Sequence, residues 1–218
     1  MEQVVAGAVS FREDVFPKHR ELFAKLVGGQ RPEALFITCS DSRIDPCLVT
    51  QTRPGDLFII RNAGNIVPPH TRHAGGVTAS IEYAVSVLDI RHVIVCGHTH
   101  CGALHGALMP ESIASLTHVR EWLEHARAAV EIVRARKGHA GPEHIRDVIE
   151  QNVLVQLQHL RTHPVVAAGI AAGRLELHGW VYEIETGDVH CWDESSERFH
   201  SLAERYRTLL ADETVKAG

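Results

Sequence analysis

The sequence predicts an α/β protein built on a mostly parallel central sheet with flanking helices. Three observations carry that expectation. Leu35-Phe36-Ile37-Thr38, Leu57-Phe58-Ile59-Ile60 and Val93-Ile94-Val95-Cys96 are short, continuous apolar runs, the pattern of strands covered on both faces rather than strands that alternate. A helical pattern separates the second run from the third: Val77, Ile81, Ala84, Val85 and Leu88 recur on one face after Gly75-Gly76. A strand, a helix and another continuous apolar strand form the unit from which parallel sheets are assembled. Finally, no linker rich in Pro, Gly or Ser breaks the 218 residues, so a single domain is expected, with an N-terminal helical arm over 1–29, a core over 30–192 and a C-terminal helix and tail over 193–218.

The individual elements follow in order. Phe11 to Val27 reads as a polar, amphipathic helix whose apolar set is Phe16, Leu22, Phe23, Leu26 and Val27, ended by Gly28-Gly29. The first strand ends in a polar turn, and the second is launched by Pro54-Gly55-Asp56. After the third strand, helices are expected over about Leu116 to Arg136 and Pro142 to Leu160, where Pro142 suits a first helical turn. His163-Pro164 closes that stretch. Leu175 to Ile184 and Val189 to Trp192 flank Glu185-Thr186-Gly187-Asp188 and read as a hairpin, which adds an antiparallel edge strand. A last helix is expected from about Ser196 to Leu210.

Composition narrows the function. Lys and Arg number 22 against 27 acids, for a formal charge of −5, which argues against a nucleic-acid partner. No apolar run approaches the roughly 20 residues that span a bilayer, and Met1 to Arg12 lacks the pattern of a secretory signal. The five cysteines are odd in number and irregularly spaced, which suits reduced thiols in the cytoplasm better than a disulfide framework.

Two clusters carry chemistry. Cys39 follows the first strand in Cys39-Ser40-Asp41-Ser42-Arg43, and His98 and Cys101 follow the third in Gly97-His98-Thr99-His100-Cys101-Gly102. Open parallel sheets bind ligands at the carboxyl ends of their strands, so both clusters point at one region. A cysteine alone after a strand is more often a small buried hydrophobe. Two thiolates and an imidazole together suit zinc, and three protein ligands leave the fourth position that a catalytic site needs. Arg43 is expected to keep Asp41 ionised and oriented beside the metal. Cys47, Cys96 and Cys191 read as structural. His70, His73 and His105 lack ligand spacing, and His100 is a candidate proton shuttle.

Three blocks, Cys39-Ser40-Asp41-Ser42-Arg43, Arg61-Asn62-Ala63-Gly64-Asn65 and His98-Thr99-His100-Cys101-Gly102, resemble in order and spacing the signature blocks of the β-class carbonic anhydrases. Ile81-Glu82-Tyr83-Ala84 and His178-Gly179-Trp180 extend the likeness. The resemblance implies a zinc lyase (a carbonate dehydratase) that interconverts carbon dioxide and bicarbonate through zinc-bound hydroxide, with one zinc per chain on Cys39, His98 and Cys101. It implies that Asp41, held by Arg43, accepts a hydrogen bond from that hydroxide, and that Asp41 takes the fourth zinc position in a closed form of some members. Gln30, Phe58, Ala63, Tyr83 and Gly102 match substrate-binding positions, Gln30 across a dimer interface. A swapped helical arm and a homodimer or larger assembly are implied too, with packaging in a bacterial microcompartment left open. Phe36 stands where members with an inhibitory bicarbonate site carry tryptophan, so the likeness is closer to the plant and cyanobacterial type, and the open form is expected at neutral pH. Two rivals fit the same residues: hydrolysis of carbon disulfide or carbonyl sulfide, and a non-catalytic zinc protein. An Asp41–Arg43 pair counts against the second.

Overall fold

The computed structural model describes residues 1–72 and 75–207, which form one compact unit over Met1–Arg31 and another that begins at Pro32. In the first unit, α1 (Glu2–Ser10) continues through a π turn at Phe11–Val15 and a 3-10 turn at Phe16–His19 into α2 (Arg20–Leu26). The helical stretch therefore begins at Glu2, earlier than the expected Phe11. Its ladder changes hand-over at Pro17, which cannot donate a backbone hydrogen bond. Neither helix buries a residue. Phe11, Phe16 and Phe23 gather ring to ring, with centroids 5.1 Å apart for Phe16 and Phe23.

In the second unit β1 (Ala34–Cys39) is buried at every position. It is flanked in parallel by β2 (Leu57–Asn62) and β3 (His92–His98), so two of the three continuous apolar runs, β1 and β3, are central strands, while the third, β2, is the half-exposed parallel edge. Helices fill the connections: α3 (Pro46–Thr50), α4 (Gly76–Ser86), α5 (Gly102–Leu108), α6 (Thr117–Leu123), α7 (Arg127–Lys137), α8 (Ile145–Arg161) and α9 (Pro164–Ala171). Then come β4 (Glu176–Tyr182), parallel to β3, and the antiparallel β5 (Val189–Asp193) and β6 (Arg198–Ser201). A short α10 (Leu202–Arg205) follows. Among the described residues the order is β2-β1-β3-β4-β5-β6, a mostly parallel sheet whose antiparallel edge has two strands.

Three expectations need correction. The helix foreseen over Ser196 to Leu210 is β6 followed by α10 as far as Arg205; residues 208–210 lie outside the described part. Phe199 and Ser201 alternate along a strand that pairs with β5, and four residues are too few for a period to be read reliably. The stretch Leu116 to Arg136 is two helices joined by a 3-10 turn at Glu124–Ala126. His163-Pro164 does end α8, but Pro164 also opens α9, occupying a first-turn position whose N–H would have no partner anyway.

The core lies between the sheet and the helices. Leu35, Ile37, Val93, Val95 and Val181 point to the face covered by α8, whose Val148, Ile149, Val153, Leu157 and Leu160 are buried. On the other face Phe36, Ile94 and Cys96 pack with Ile44, Trp180 and Tyr182. Helix α8 comes close because two glycines face it. A Cβ on Gly97 would stand 3.0 Å from Val153 Cγ2, and one on Gly179 would stand 3.0 Å from Val153 Cγ1. Gly97 directly precedes His98, so this approach fixes the end of β3 where the chemistry lies.

Candidate metal centre

The strand ends deliver the expected ligands to one point. Cys39 closes β1, His98 closes β3 and Cys101 caps the start of α5. Their donor atoms all lie within 4.8 Å of one another and all three residues are buried. Cys39 Sγ and Cys101 Sγ are 3.9 Å apart. His98 Nδ1 donates to the Thr99 carbonyl at 2.8 Å, which leaves Nε2 with its lone pair. That Nε2 is buried and has no hydrogen-bond partner. An unsatisfied buried nitrogen is costly, and a cation between it and the two sulfurs removes the cost. Hydrogen bonding from Cys101, with the Gly64 N–H, pulls the Cys39 thiol down against its burial. The bond to Cys39, with burial, pushes the Cys101 thiol up. The two thiols are thus coupled, and a cation held between them would favour the loss of both protons.

Asp41 stands at the rim. Arg43 grips it with both ends of its fork, Nε to Oδ1 at 2.9 Å and Nη2 to Oδ2 at 2.7 Å, while the Arg43 N–H donates to Oδ1 at 3.0 Å. The guanidinium bonds chiefly hold the Asp41 carboxyl well below the usual carboxylate range. Asp41 Oδ2 lies 3.8 Å from His98 Nε2, so the carboxylate faces the cluster while bound to arginine. Arg43 Nη2 also donates to the His100 carbonyl at 3.0 Å, which ties the two loops together.

The other expected positions are distributed. Ala63 is exposed, and its carbonyl accepts from Trp122 Nε1 at 2.9 Å. Phe58 on β2 and Tyr83 on α4 pair with ring centroids 6.1 Å apart. Gly102 is exposed at the first position of α5, and a Cβ there would meet nothing within 4 Å. Gln30 is exposed within the amino-terminal unit. Cys96 and Cys191 are buried and Cys47 half-buried, all as free thiols. His100 meets Glu185 of the β4–β5 turn, whose carboxylate also accepts from Thr99 Oγ1 at 2.9 Å.

Sequence reasoning missed several supports. Arg61 donates to the carbonyls of Cys39 at 3.1 Å, Asp41 at 2.7 Å and Ile44 at 2.8 Å, and so clamps the whole 39–44 loop. It sits in a quoted block, yet nothing local says where its side chain reaches. Asn152 on α8 donates to the Gly64 carbonyl at 3.1 Å, and Gln156 donates to Asn152 Oδ1 at 2.8 Å and accepts from Val67 N–H at 2.9 Å. These two buried amides fix the loop whose Gly64 N–H reaches Cys39 Sγ. One clue was available: polar Asn152 and Gln156 fall on the apolar face of α8.

Comparison with known proteins gives one answer. The sequence model of the family described as carbonic anhydrase matches residues 34–189. A carbonic anhydrase of Pseudomonas aeruginosa is 46% identical over 204 residues, covering 94% of this chain and 93% of that protein. Among solved structures, the β-carbonic anhydrase CcaA superposes with a TM-score of 0.89 at 44% identity, over 92% of this chain and 98% of that one. A structure described among two tetrameric β-carbonic anhydrases of Sordaria macrospora superposes with a TM-score of 0.74 at 29% identity, over 92% and 95% of the two chains.

Proposed function

This chain belongs to the β-class carbonic anhydrases, catalysts of the reversible hydration of carbon dioxide to bicarbonate and a proton, and from that premise we propose that one zinc ion per chain is held by Cys39, His98 and Cys101, with Asp41 and Arg43 as its catalytic pair. The observation that carries the assignment is the buried, partnerless His98 Nε2 beside two sulfurs. Three ligands leave a position open, as a catalytic site requires. Zinc, when bound, supplies Lewis acidity that lowers the pKa of water and so makes a nucleophile available near neutral pH.

The chain's own residues do the rest. Asp41 is ionised and has no proton to give, so it accepts a hydrogen bond from the attacking water or hydroxide and turns a lone pair toward carbon. Arg43 fixes that orientation through its fork, which supports the open arrangement. Closure, with Asp41 as fourth ligand, would require breaking both guanidinium bonds. Phe58, Ala63 and Tyr83 offer an apolar lining suited to a small uncharged substrate. The Gly102 N–H and Gln30, the latter from a partner chain, stabilise charge as it develops on the substrate oxygens.

The working form is a homodimer or larger assembly, a reading supported by an amino-terminal unit that exposes Val4, Val5, Val9 and Phe11 and buries none of its helical residues. Free thiols fit a reducing compartment, which supports a cytoplasmic enzyme, free or packaged in a bacterial microcompartment. Carbon dioxide hydration, followed before and after chelation of the full-length protein, tests the function. Activity should vanish on stripping and return with one equivalent of zinc. Undiminished turnover by metal-free protein would refute the proposal.

A further inference from the structure

The strand that ends at His98 begins, together with its neighbour β4, with a second set of ligand-type side chains. His92 is the first residue of β3 and Glu176 the first of β4, and the two are register partners. His178 lies two residues along β4 and so shares their face. The Glu176 N–H donates to the Arg91 carbonyl at 2.8 Å, pinning the two strand starts together. His92 Nδ1 and His178 Nε2 are 3.2 Å apart, and Glu176 Oε2 is 3.9 Å from the first and 4.0 Å from the second. All three donor atoms fall within 4.8 Å of one another.

We infer that His92, His178 and Glu176 form a second metal site, separate from the catalytic centre, for a first-row divalent ion such as zinc, nickel or cobalt. Donors bound at about 2.0–2.1 Å in a tetrahedron stand roughly 3.3 Å apart. The two imidazoles already have that spacing, fixed by backbone register rather than by a loop. Glu176 is 71% exposed at its side chain, so rotation of its free end closes the remaining edges. Two imidazoles and a carboxylate select these ions over magnesium or calcium, which prefer all-oxygen shells. The side chains of His92 and His178 are 49% and 28% exposed, leaving water to complete the coordination.

One other His/Glu cluster exists among the described residues outside the catalytic centre, at His139, Glu143 and His144. It lies within one exposed local segment, where no strand register fixes its ligands, and it serves as the control.

The test is metal content by elemental analysis of the full-length, zinc-loaded protein after dialysis against micromolar free zinc. Wild type should hold two equivalents. His178→Ala and Glu176→Gln should each hold one, with carbon dioxide hydration unchanged. Glu176→Gln alters only an exposed side chain, so it keeps the test decisive if His178→Ala misfolds. A single equivalent in wild type would overturn the inference. So would a second equivalent that survives Glu176→Gln, or one that disappears instead in His139→Ala.

Discussion

Arg61 shows how one side chain can organise a site it never enters. Its Nε and Nη2 reach three carbonyls of the 39–44 loop, which carries both Cys39 and Asp41. A lysine keeps the charge but has no planar fork to span three acceptors. Arg61→Lys should therefore reduce zinc affinity or activity by about 10–100-fold, the usual scale for partners that orient metal ligands, while the global unfolding midpoint changes little. Steady-state hydration rates and competition with a zinc chelator measure this; unchanged values of both would remove Arg61 from the account. Asp41 makes a sharper case. Asp41→Asn keeps the shape but replaces an acceptor-only group with one that also donates, so kcat should fall by at least about 100-fold, the scale of acid–base contributions, with zinc content intact. Loss of zinc in that variant would mean that Asp41 is a ligand rather than an acceptor.

At the scale of elements, α8 links the sheet to the site. It reaches β3 and β4 at Gly97 and Gly179 and presents Asn152 and Gln156 to the 62–67 loop. Gly97→Ala places a methyl 3.0 Å from Val153 Cγ2 and 3.3 Å from Ile149 Cγ2, an overpacking expected to destabilise by about 1–3 kcal/mol. Adding Val153→Ala should recover part of that loss, and a denaturation cycle over the two single variants and the double variant reads the coupling. Strict additivity would show that the close approach is not what holds β3 in place.

The elements also show what the chain states openly and what it conceals. Strands β1 and β3 were legible because buried strands leave unbroken apolar runs, as in Ala34–Cys39, and β2 carries such a run although it is the half-exposed edge. The candidate ligands could be read because Cys39 and His98 close strands and Cys101 follows three residues later, so topology brings them together. Short elements were not. Helices α3, α5 and α9 span five to eight residues, too few for a 3.6-residue period to stand out. Contacts set only by the tertiary fold were hidden as well: Glu185 reads as a turn residue, yet it binds Thr99 and His100 across the sheet.

Over the whole molecule, pH dependence follows from histidines that the fold buries or half-buries. Burial is the leading cause that lowers the pKa of His125, His159 and His163. Each therefore binds a proton less readily in the fold than when unfolded. Such a group imposes no penalty above the unfolded value of about 6.5, and stability is lost as pH falls below it toward the folded values. The depressed carboxylates Glu183 and Asp193 titrate only at lower pH. Urea unfolding of the zinc-loaded protein should show a midpoint that drops between about pH 7.5 and pH 5.5. In His163→Gln, whose amide can still donate to the Pro68 carbonyl, the drop should be smaller. An equal slope in both proteins would contradict the assignment of His163 to this behaviour.

The centre itself is where the account is most exposed. It holds that a single catalytic ion is bound by two sulfurs, one imidazole and one light atom from solvent. X-ray absorption at the zinc edge, on full-length protein loaded with one equivalent at neutral pH, reads that shell directly. The predicted spectrum contains two sulfur scatterers at about 2.3 Å and two nitrogen or oxygen scatterers at about 2.0–2.2 Å, and Cys101→Ala should lose one sulfur together with most of the bound zinc. A shell of four sulfurs, or one with no sulfur at all, would contradict it.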